Sequence, residues 1–223
     1  MTAVPVPSTT AGVDEVVAVI VLLSEFAMLR APLLRSQVRL YAFQSLAVVA
    51  LAVVVAATRH VGDLYALAAL SFVLKVVIVP AVMMRLLRGT DVDLTGSPVM
   101  GAASMTLIAL GVTAFGFFAV GSLHVHSKLL PSAALAIAVA VVLVAFVLIV
   151  LRSDVVSQAM GFFSLENGVS VVSLVIAAGL PLVLEVAFLF DLLVAVVVFG
   201  IIMRVHHGRA KTLLTDDLDR LRG

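Results

Sequence analysis

Five ionisable side chains interrupt long apolar stretches of this chain: Glu25, Lys75, Glu166, Glu185 and Asp191. An ionisable residue near the centre of a bilayer costs roughly 2.5–3.5 kcal/mol even on lenient insertion scales, and such residues commonly mark proton or ion paths. The chemistry that these residue types can support together is proton exchange between carboxyl and amino groups.

Glu166 is the most isolated of these groups. It lies in the stretch GFFSLENGVS, residues 161–170, with no other charged residue within ten positions on either side. Ser170 and Ser173 follow four and seven positions later, so the three side chains share one face of a helix. We interpret this face as part of a proton path. The alternative is a neutral acid that is hydrogen-bonded to a neighbouring helix for packing alone.

Two further acids follow in the last apolar stretch. Asp191 falls near its middle, whereas Glu185 lies close to one end and could reach interfacial water. They are six residues apart, which places them about 120° apart around a helix. A short Gly–Pro loop precedes this stretch, so we predict a helical hairpin that brings Glu166 and Asp191 to similar depth.

Lys75 is the one cation in the middle of a predicted span, with Ser71 one turn before it and Pro80 five residues after it. Proline lacks an N–H, which frees the carbonyl of Val76 and predicts a distortion beside the lysine. Lys75 could serve a proton relay or form a static ion pair between helices. Glu25 is one turn from Arg30, and we expect it to extend to the interface or pair there.

The elements that position these residues are membrane-spanning helices. The 223 residues are 63% hydrophobic and 12% charged, too apolar for a soluble domain of this length. A span needs about 20 mostly apolar residues. We predict an all-α polytopic membrane protein with seven transmembrane helices, over residues 14–30, 40–58, 64–87, 98–120, 131–151, 155–178 and 182–203.

The distribution of Lys and Arg predicts the orientation. With seven spans, eleven of the 14 basic residues fall on one side, only Arg59 and Lys128 fall on the other, and Lys75 is within a span. Basic residues favour the cytoplasmic side. The amino terminus is therefore predicted outside and the carboxyl terminus in the cytoplasm.

This layout divides the chain into four parts. Residues 1–13 form an extracytoplasmic tail, 14–120 a four-helix membrane part, 131–204 a three-helix membrane unit and 205–223 a cytoplasmic tail with a short helix. Residues 1–12 contain no Lys or Arg, so the first apolar stretch does not have the basic flank of a signal peptide.

Several classes of chemistry are absent from the sequence. There is no cysteine, which excludes disulfides, thiolate metal sites and cysteine-held iron–sulfur clusters in this chain. The His124–His126 and His206–His207 pairs have no neighbouring carboxylates, so we predict no metal site. No nucleotide fingerprint or nucleophile triad occurs, and we predict no catalytic centre in this chain alone.

The segment from Arg152 to Met203 resembles the K subunit of complex I and the C subunit of Mrp-type antiporters. In those families the second helix follows a cytoplasmic arginine, begins Gly–Leu–Glu and continues to an Asn, and the third carries another acid. Here Gly161 and Asn167 keep that spacing, but the acid is Glu166, three positions later. Whether Asp191 or Glu185 matches the second acid stays open.

The complete layout resembles hydrogenase-4 component E, on the stretches LKVVIVP, GFFSLENGV and LEVAFLFD. This resemblance implies a bacterial inner-membrane subunit of a formate hydrogenlyase or complex I-like [NiFe]-hydrogenase complex. Its intramembrane carboxylates would contribute to proton translocation coupled to redox chemistry elsewhere. Implied partners are antiporter-like membrane subunits, a complex I-like anchor subunit, and hydrogenase-like large and small subunits. Nickel–iron and iron–sulfur centres would belong to those partners, with no cofactor in this chain.

Two other functions use the same residues. An Mrp-like cation/proton antiporter subunit would need the same acids without a redox partner. A structural membrane scaffold would use them only to join helices.

Overall fold

Every element that the computed structural model describes is a helix. The structure describes residues 8–60, 62–88, 100–122, 132–176, 191 and 194–202. The predicted all-α fold is therefore confirmed over these ranges. The predicted tail helix, the 179–181 loop and the loops near 90–98 and 123–131 lie outside them.

The first half of the chain contains two long helices followed by an interrupted one. Helix α1 is Ser8–Arg30 and helix α2 is Leu34–Arg59. His60 directly follows α2, and its positive φ of 55° places it in the left-handed conformation common just beyond helix ends. Helix α3, Gly62–Ser71, is the next element of the chain.

The third predicted span departs from α geometry beside Lys75. A π-helical segment, Phe72–Ile78, separates α3 from helix α4, Val79–Leu87. The N–H of Val79 donates to the carbonyl of Leu74, five residues earlier, and Pro80 has no N–H to donate. Proline thus distorts the helix at the predicted place, and the distortion is a π-helical stretch of seven residues.

The second half contains helices α5, Ala102–Ser122, α6, Ser132–Leu151, and α7, Val155–Ile176. Asp154 directly precedes α7, and its Oδ1 accepts a 2.7 Å hydrogen bond from the N–H of Ser157. This is the usual N-cap arrangement, which explains why the helix begins there. Residues 194–202 continue as a further helical segment.

Glycines allow α7 to lie very close to α6. A Cβ added at Gly161 would lie 2.7 Å from Ile149 Cγ1 and 3.2 Å from the carbonyl oxygen of Ala145. One added at Gly168, seven residues later, would lie 2.8 Å from Val142 Cγ2. Small residues with this spacing let two membrane helices approach through their backbones.

Helix α7 packs on its other side against α2, and the two helices run parallel. Ser157 Oγ is 2.8 Å from Gln37 Oε1, and Ser164 Oγ is 2.9 Å from Gln44 Oε1. Each step of seven residues along α2 matches a step of seven along α7. This repeat is typical of helices that cross at a shallow angle.

The α1–α2 connection and the start of α7 lie at the same end of the molecule. The buried guanidinium of Arg152 donates a 2.6 Å hydrogen bond from Nη2 to the carbonyl of Leu29. It also lies 3.4 Å from the carbonyl of Ala31. Arginine near a helix end satisfies carbonyls that the helix itself leaves without partners.

Four of the described helices are long and apolar enough to cross a membrane: Leu34–Thr58, Gly62–Leu87, Ala102–Ser122 and Ala133–Leu151. They coincide with the second to fifth predicted spans. Helices α1 and α7 coincide with the first and sixth predicted spans. The protein is therefore an all-α membrane protein, and the count of seven spans stays a prediction.

Candidate functional site

A buried ion pair joins the third predicted span to α7. Lys75 Nζ lies 3.0 Å from Glu166 Oε1, and the two side chains are 4% and 9% exposed. The residues are far apart in the sequence, so only the packing of the π-helical segment beside α7 brings them together. An ammonium and a carboxylate at this distance stabilise each other strongly where the surroundings are apolar.

Ser170 completes this group. Its hydroxyl donates a 2.9 Å hydrogen bond to the backbone carbonyl of Glu166 and accepts a 3.1 Å hydrogen bond from Lys75 Nζ. The predicted shared face of Glu166 and Ser170 is therefore present, and both residues of that face meet the lysine. Glu166 Oε2 is buried and has no hydrogen-bond partner among the described residues.

A small cavity borders the ion pair. It is about 30 Å³ in volume, between α2, α3, the π-helical segment and α7. Its polar lining comes from Ser45, Ser71, Lys75, Glu166 and Ser170, and its other walls are apolar. A cavity of about 10–15 Å³ already accepts one water molecule if polar groups face it. The site therefore has room for a water molecule beside both charged groups.

The π-helical segment determines where the ammonium lies. One extra residue in a helical turn changes which side of the helix the following residues face, and such turns occur often at functional sites. Lys75 lies inside this turn and is buried, whereas Phe72, Val73, Val77 and Ile78 around it are exposed. The segment thus directs its single charged residue inward while its apolar side chains face outward.

A second buried polar cluster lies between α1, α2 and α7. Glu25 of α1 is fully buried, and its Oε2 accepts a 2.9 Å hydrogen bond from Gln44 Nε2. Ser164 Oγ also contacts Glu25 Oε2 and lies 2.9 Å from Gln44 Oε1. The carboxyl group is held by two neutral side chains, one from each neighbouring helix.

Asn167 links the two clusters. Its Nδ2 donates to Gln44 Oε1 at 3.1 Å and to Ser45 Oγ at 2.9 Å. Ser45 also lines the cavity beside Lys75 and Glu166. A chain of polar side chains therefore leads from Glu25, through the α2–α7 contact, to the cavity. In the sequence, only its spacing from Gly161 distinguishes Asn167.

The other predicted site residues have different positions. Asp191 is helical and its side chain is exposed, and the ion-pair partner of Glu166 in the described residues is Lys75. Pairing of Glu166 with Asp191 stays a prediction. Ser173 is half-buried on α7, and Glu185 lies outside the described residues.

The expectation for Glu25 was wrong. It does not extend to the interface or pair with Arg30, because the α1–α2–α7 contact encloses it completely while Arg30 is exposed. Its partners Gln44 and Ser164 are remote in sequence. Gln37 and Gln44, seven residues apart within an apolar helix, were the available signal that α2 has a buried polar face.

Within the described ranges no group of three or more His, Asp or Glu side chains is arranged to hold a metal ion. The chemistry that the site can perform with its own groups is proton binding and release. The ammonium of Lys75, the carboxyl of Glu166 and the hydroxyls of Ser45, Ser71 and Ser170 face one small cavity.

The fold and the site thus define an all-α membrane protein with a buried Lys–Glu pair. The chain is 30% identical over 191 residues to "Uncharacterized protein Rv0085" of Mycobacterium tuberculosis (strain ATCC 25618 / H37Rv), and the match covers 85% of both chains. This chain belongs to the same family as that mycobacterial protein. No family model matches the sequence, and no solved structure matches it.

Proposed function

We propose that this protein is an integral membrane subunit that contributes Glu166 and Lys75 to proton translocation, in a complex I-like hydrogenase of the hydrogenase-4 or formate hydrogenlyase type. The observation that carries the proton-transfer part is the buried ion pair beside a polar-lined cavity. The assembly follows from the sequence resemblance to hydrogenase-4 component E. The redox centres then belong to partner subunits.

The geometry supports proton exchange at Glu166 for three reasons. Its carboxylate has one oxygen next to Lys75 and a second that receives no hydrogen bond from the described residues. The cavity gives a water molecule access to the pair. The pair is buried in apolar surroundings, where the separation of the two charges changes the affinity of each group for a proton. Opening the pair would therefore bind or release a proton.

The proposal includes a path that continues from Glu166 to Asp191 or Glu185 and along Ser170 and Ser173. Asp191 follows α7 in the chain and belongs to the predicted seventh span. The same residues would serve an Mrp-like antiporter subunit, so the identity of the redox partner separates the two functions. Purification in a mild detergent tests which of the two assemblies contains this protein, because a co-purifying hydrogenase-like large subunit is expected only for the proposed complex.

Glu166→Gln tests the proton-transfer role directly. The amide has the same shape as the carboxyl group but cannot exchange a proton, so we expect an assembled complex whose redox turnover continues with impaired proton pumping. Pumping is measured as acidification of inverted membrane vesicles, with Glu15→Gln as the matched control because Glu15 lies on α1 away from the cavity. Intact pumping in Glu166→Gln would assign the residue a structural role.

The proposed topology is seven spans in a bacterial inner membrane, with the carboxyl terminus in the cytoplasm. The shared end of the α1–α2 connection and Arg152 supports it, because both segments belong to the predicted cytoplasmic side. The chain has no cysteine, so single cysteines report on sidedness. In intact cells an impermeant maleimide should label Ser127→Cys and not Thr212→Cys. The reverse pattern would contradict the orientation.

A further inference from the structure

Glu25 is a buried acid that the proposed path through Lys75 and Glu166 does not use. Its side chain is completely buried, and its two polar contacts among the described residues are to Gln44 and Ser164. Both contacts reach the same oxygen, Oε2. The other oxygen, Oε1, is buried and has no hydrogen-bond partner in the described part of the chain.

These surroundings suit a neutral acid and not a carboxylate. An ionised carboxylate accepts about four hydrogen bonds, and burying it without a cation costs far more than burying the neutral acid. Here one oxygen receives no donor, and both contacts are to uncharged side chains. Glu166, by contrast, has the ammonium of Lys75 at 3.0 Å.

Within the described part of the chain, no charged group on the helices around Glu25 provides the missing compensation. Helices α5 and α6 pack against α1 and contain no titratable residue. The nearest titratable residues along α2 and α7 are Tyr41, three positions before Gln44, and Glu166, two positions after Ser164. Glu166 already has Lys75 as its partner. A proton is therefore the group that neutralises Glu25.

The hydrogen bonds also limit where that proton can go. Among the described residues Ser164 is the one hydroxyl hydrogen-bonded to Glu25, and its next neighbour is the amide of Gln44. Amide side chains donate and accept hydrogen bonds but do not bind a proton near neutral pH. In this arrangement Gln44 and Asn167 connect Glu25 to Ser45 and the cavity by hydrogen bonds while preventing a direct proton transfer.

We propose that Glu25 is a second proton-binding residue of this protein, separated from the Lys75–Glu166 pair by the amides of Gln44 and Asn167. In this role it stores a proton within hydrogen-bonding distance of Ser164 and releases it when the Gln44 side chain moves aside. The consequence for transport rests on the proposed function. The presence of an exchangeable proton on Glu25 is independent of the proposed function.

Infrared spectroscopy of the full chain in lipid bilayers tests this proposal without any partner subunit. At neutral pH we expect a carboxylic-acid C=O band that shifts in D₂O, disappears in Glu25→Gln and remains in Glu15→Gln. Ser164→Ala keeps the acid but removes a hydrogen-bond partner, so the band should persist at a higher frequency. We expect the band to disappear reversibly as the pH is raised, because a proton-binding residue must release its proton.

Two results would overturn the inference. If Glu25→Gln removes no carboxylic-acid band, Glu25 is ionised in the folded protein. If the band is present but does not exchange in D₂O or respond to pH, Glu25 is a permanently neutral packing residue. Either result leaves the proposed function of Glu166 intact, whereas normal pumping in Glu166→Gln with a titrating Glu25 band would remove the proposed function and retain this inference.

Discussion

The protein places two carboxyl groups in its interior in opposite ways. Glu166 has a cationic partner, Lys75, and a cavity beside it. Glu25 has neutral partners and is enclosed by three helices. Both groups contact α7 or belong to it, and Ser164 and Glu166 are only two residues apart. One helix, α7, therefore contributes both to a charged site and to a neutral one.

The difference shows how local packing controls an acid inside a membrane protein. A buried charge is tolerated if an opposite charge is fixed next to it, and here the π-helical segment supplies that charge. Without such a partner the acid keeps its proton and relies on hydrogen bonds from neutral side chains. Variants that remove one partner at a time should therefore have unequal effects at the two sites.

The largest effect is expected for Lys75→Met. Loss of the ammonium leaves Glu166 without its partner, and breaking a buried ion pair in this way costs about 3–5 kcal/mol of stability. Unfolding of the purified protein in mixed detergent micelles measures this loss. The double variant Lys75→Met/Glu166→Gln removes both charges and should recover most of it. Equal losses in the single and double variants would mean that Glu166 does not carry a charge.

A smaller effect is expected for Gly161→Ala, which acts on both sites together. The new Cβ would lie 2.7 Å from Ile149 Cγ1 and 3.1 Å from the Ile149 backbone nitrogen, so α7 or α6 must shift. We expect a loss of about 1–3 kcal/mol, typical of overpacking. Gly111→Ala is the matched control, since nothing lies within 4 Å of that Cβ position. Equal stability of the two variants would contradict the close α6–α7 packing.

The smallest effect is expected for Glu25→Gln. If Glu25 is already neutral, the amide replaces it with little change in charge, and unfolding should differ by about 1 kcal/mol or less, the net contribution of one hydrogen bond. The same unfolding assay measures it beside Lys75→Met. A loss as large as that of Lys75→Met would show that Glu25 is charged and would remove the contrast between the two sites.

Much of the fold could be predicted from the sequence because apolar stretches of sufficient length form helices in a membrane. The predicted spans at 14–30, 64–87 and 155–178 coincide with α1, with α3 to α4 and with α7. The distortion beside Lys75 was also predictable, since Pro80 cannot donate a hydrogen bond wherever the helix packs. Helix α2 begins at Leu34, six residues before the predicted span. The predicted span begins later because the first turns of the helix contain Arg35, Gln37 and Arg39, which are not apolar.

The candidate site was only partly predictable. The spacing of Glu166 and Ser170 determines that they share a helical face, whatever lies opposite. Which residue lies opposite depends on the contacts between helices, and these follow from small residues, such as Gly161, that an apolar sequence contains in many places. The hairpin neighbour Asp191 was therefore favoured, whereas Lys75 is the ion-pair partner within the described residues.

By itself, the sequence determined an all-α membrane protein with a lysine and acids within its apolar stretches, because length and hydropathy are properties of each segment alone. The tertiary structure decided the rest. It paired Lys75 with Glu166, enclosed Glu25 between Gln44 and Ser164, and connected the two sites through Asn167. The reason is physical: the cost of a buried acid depends on which groups surround it, and those groups come from helices distant in the chain.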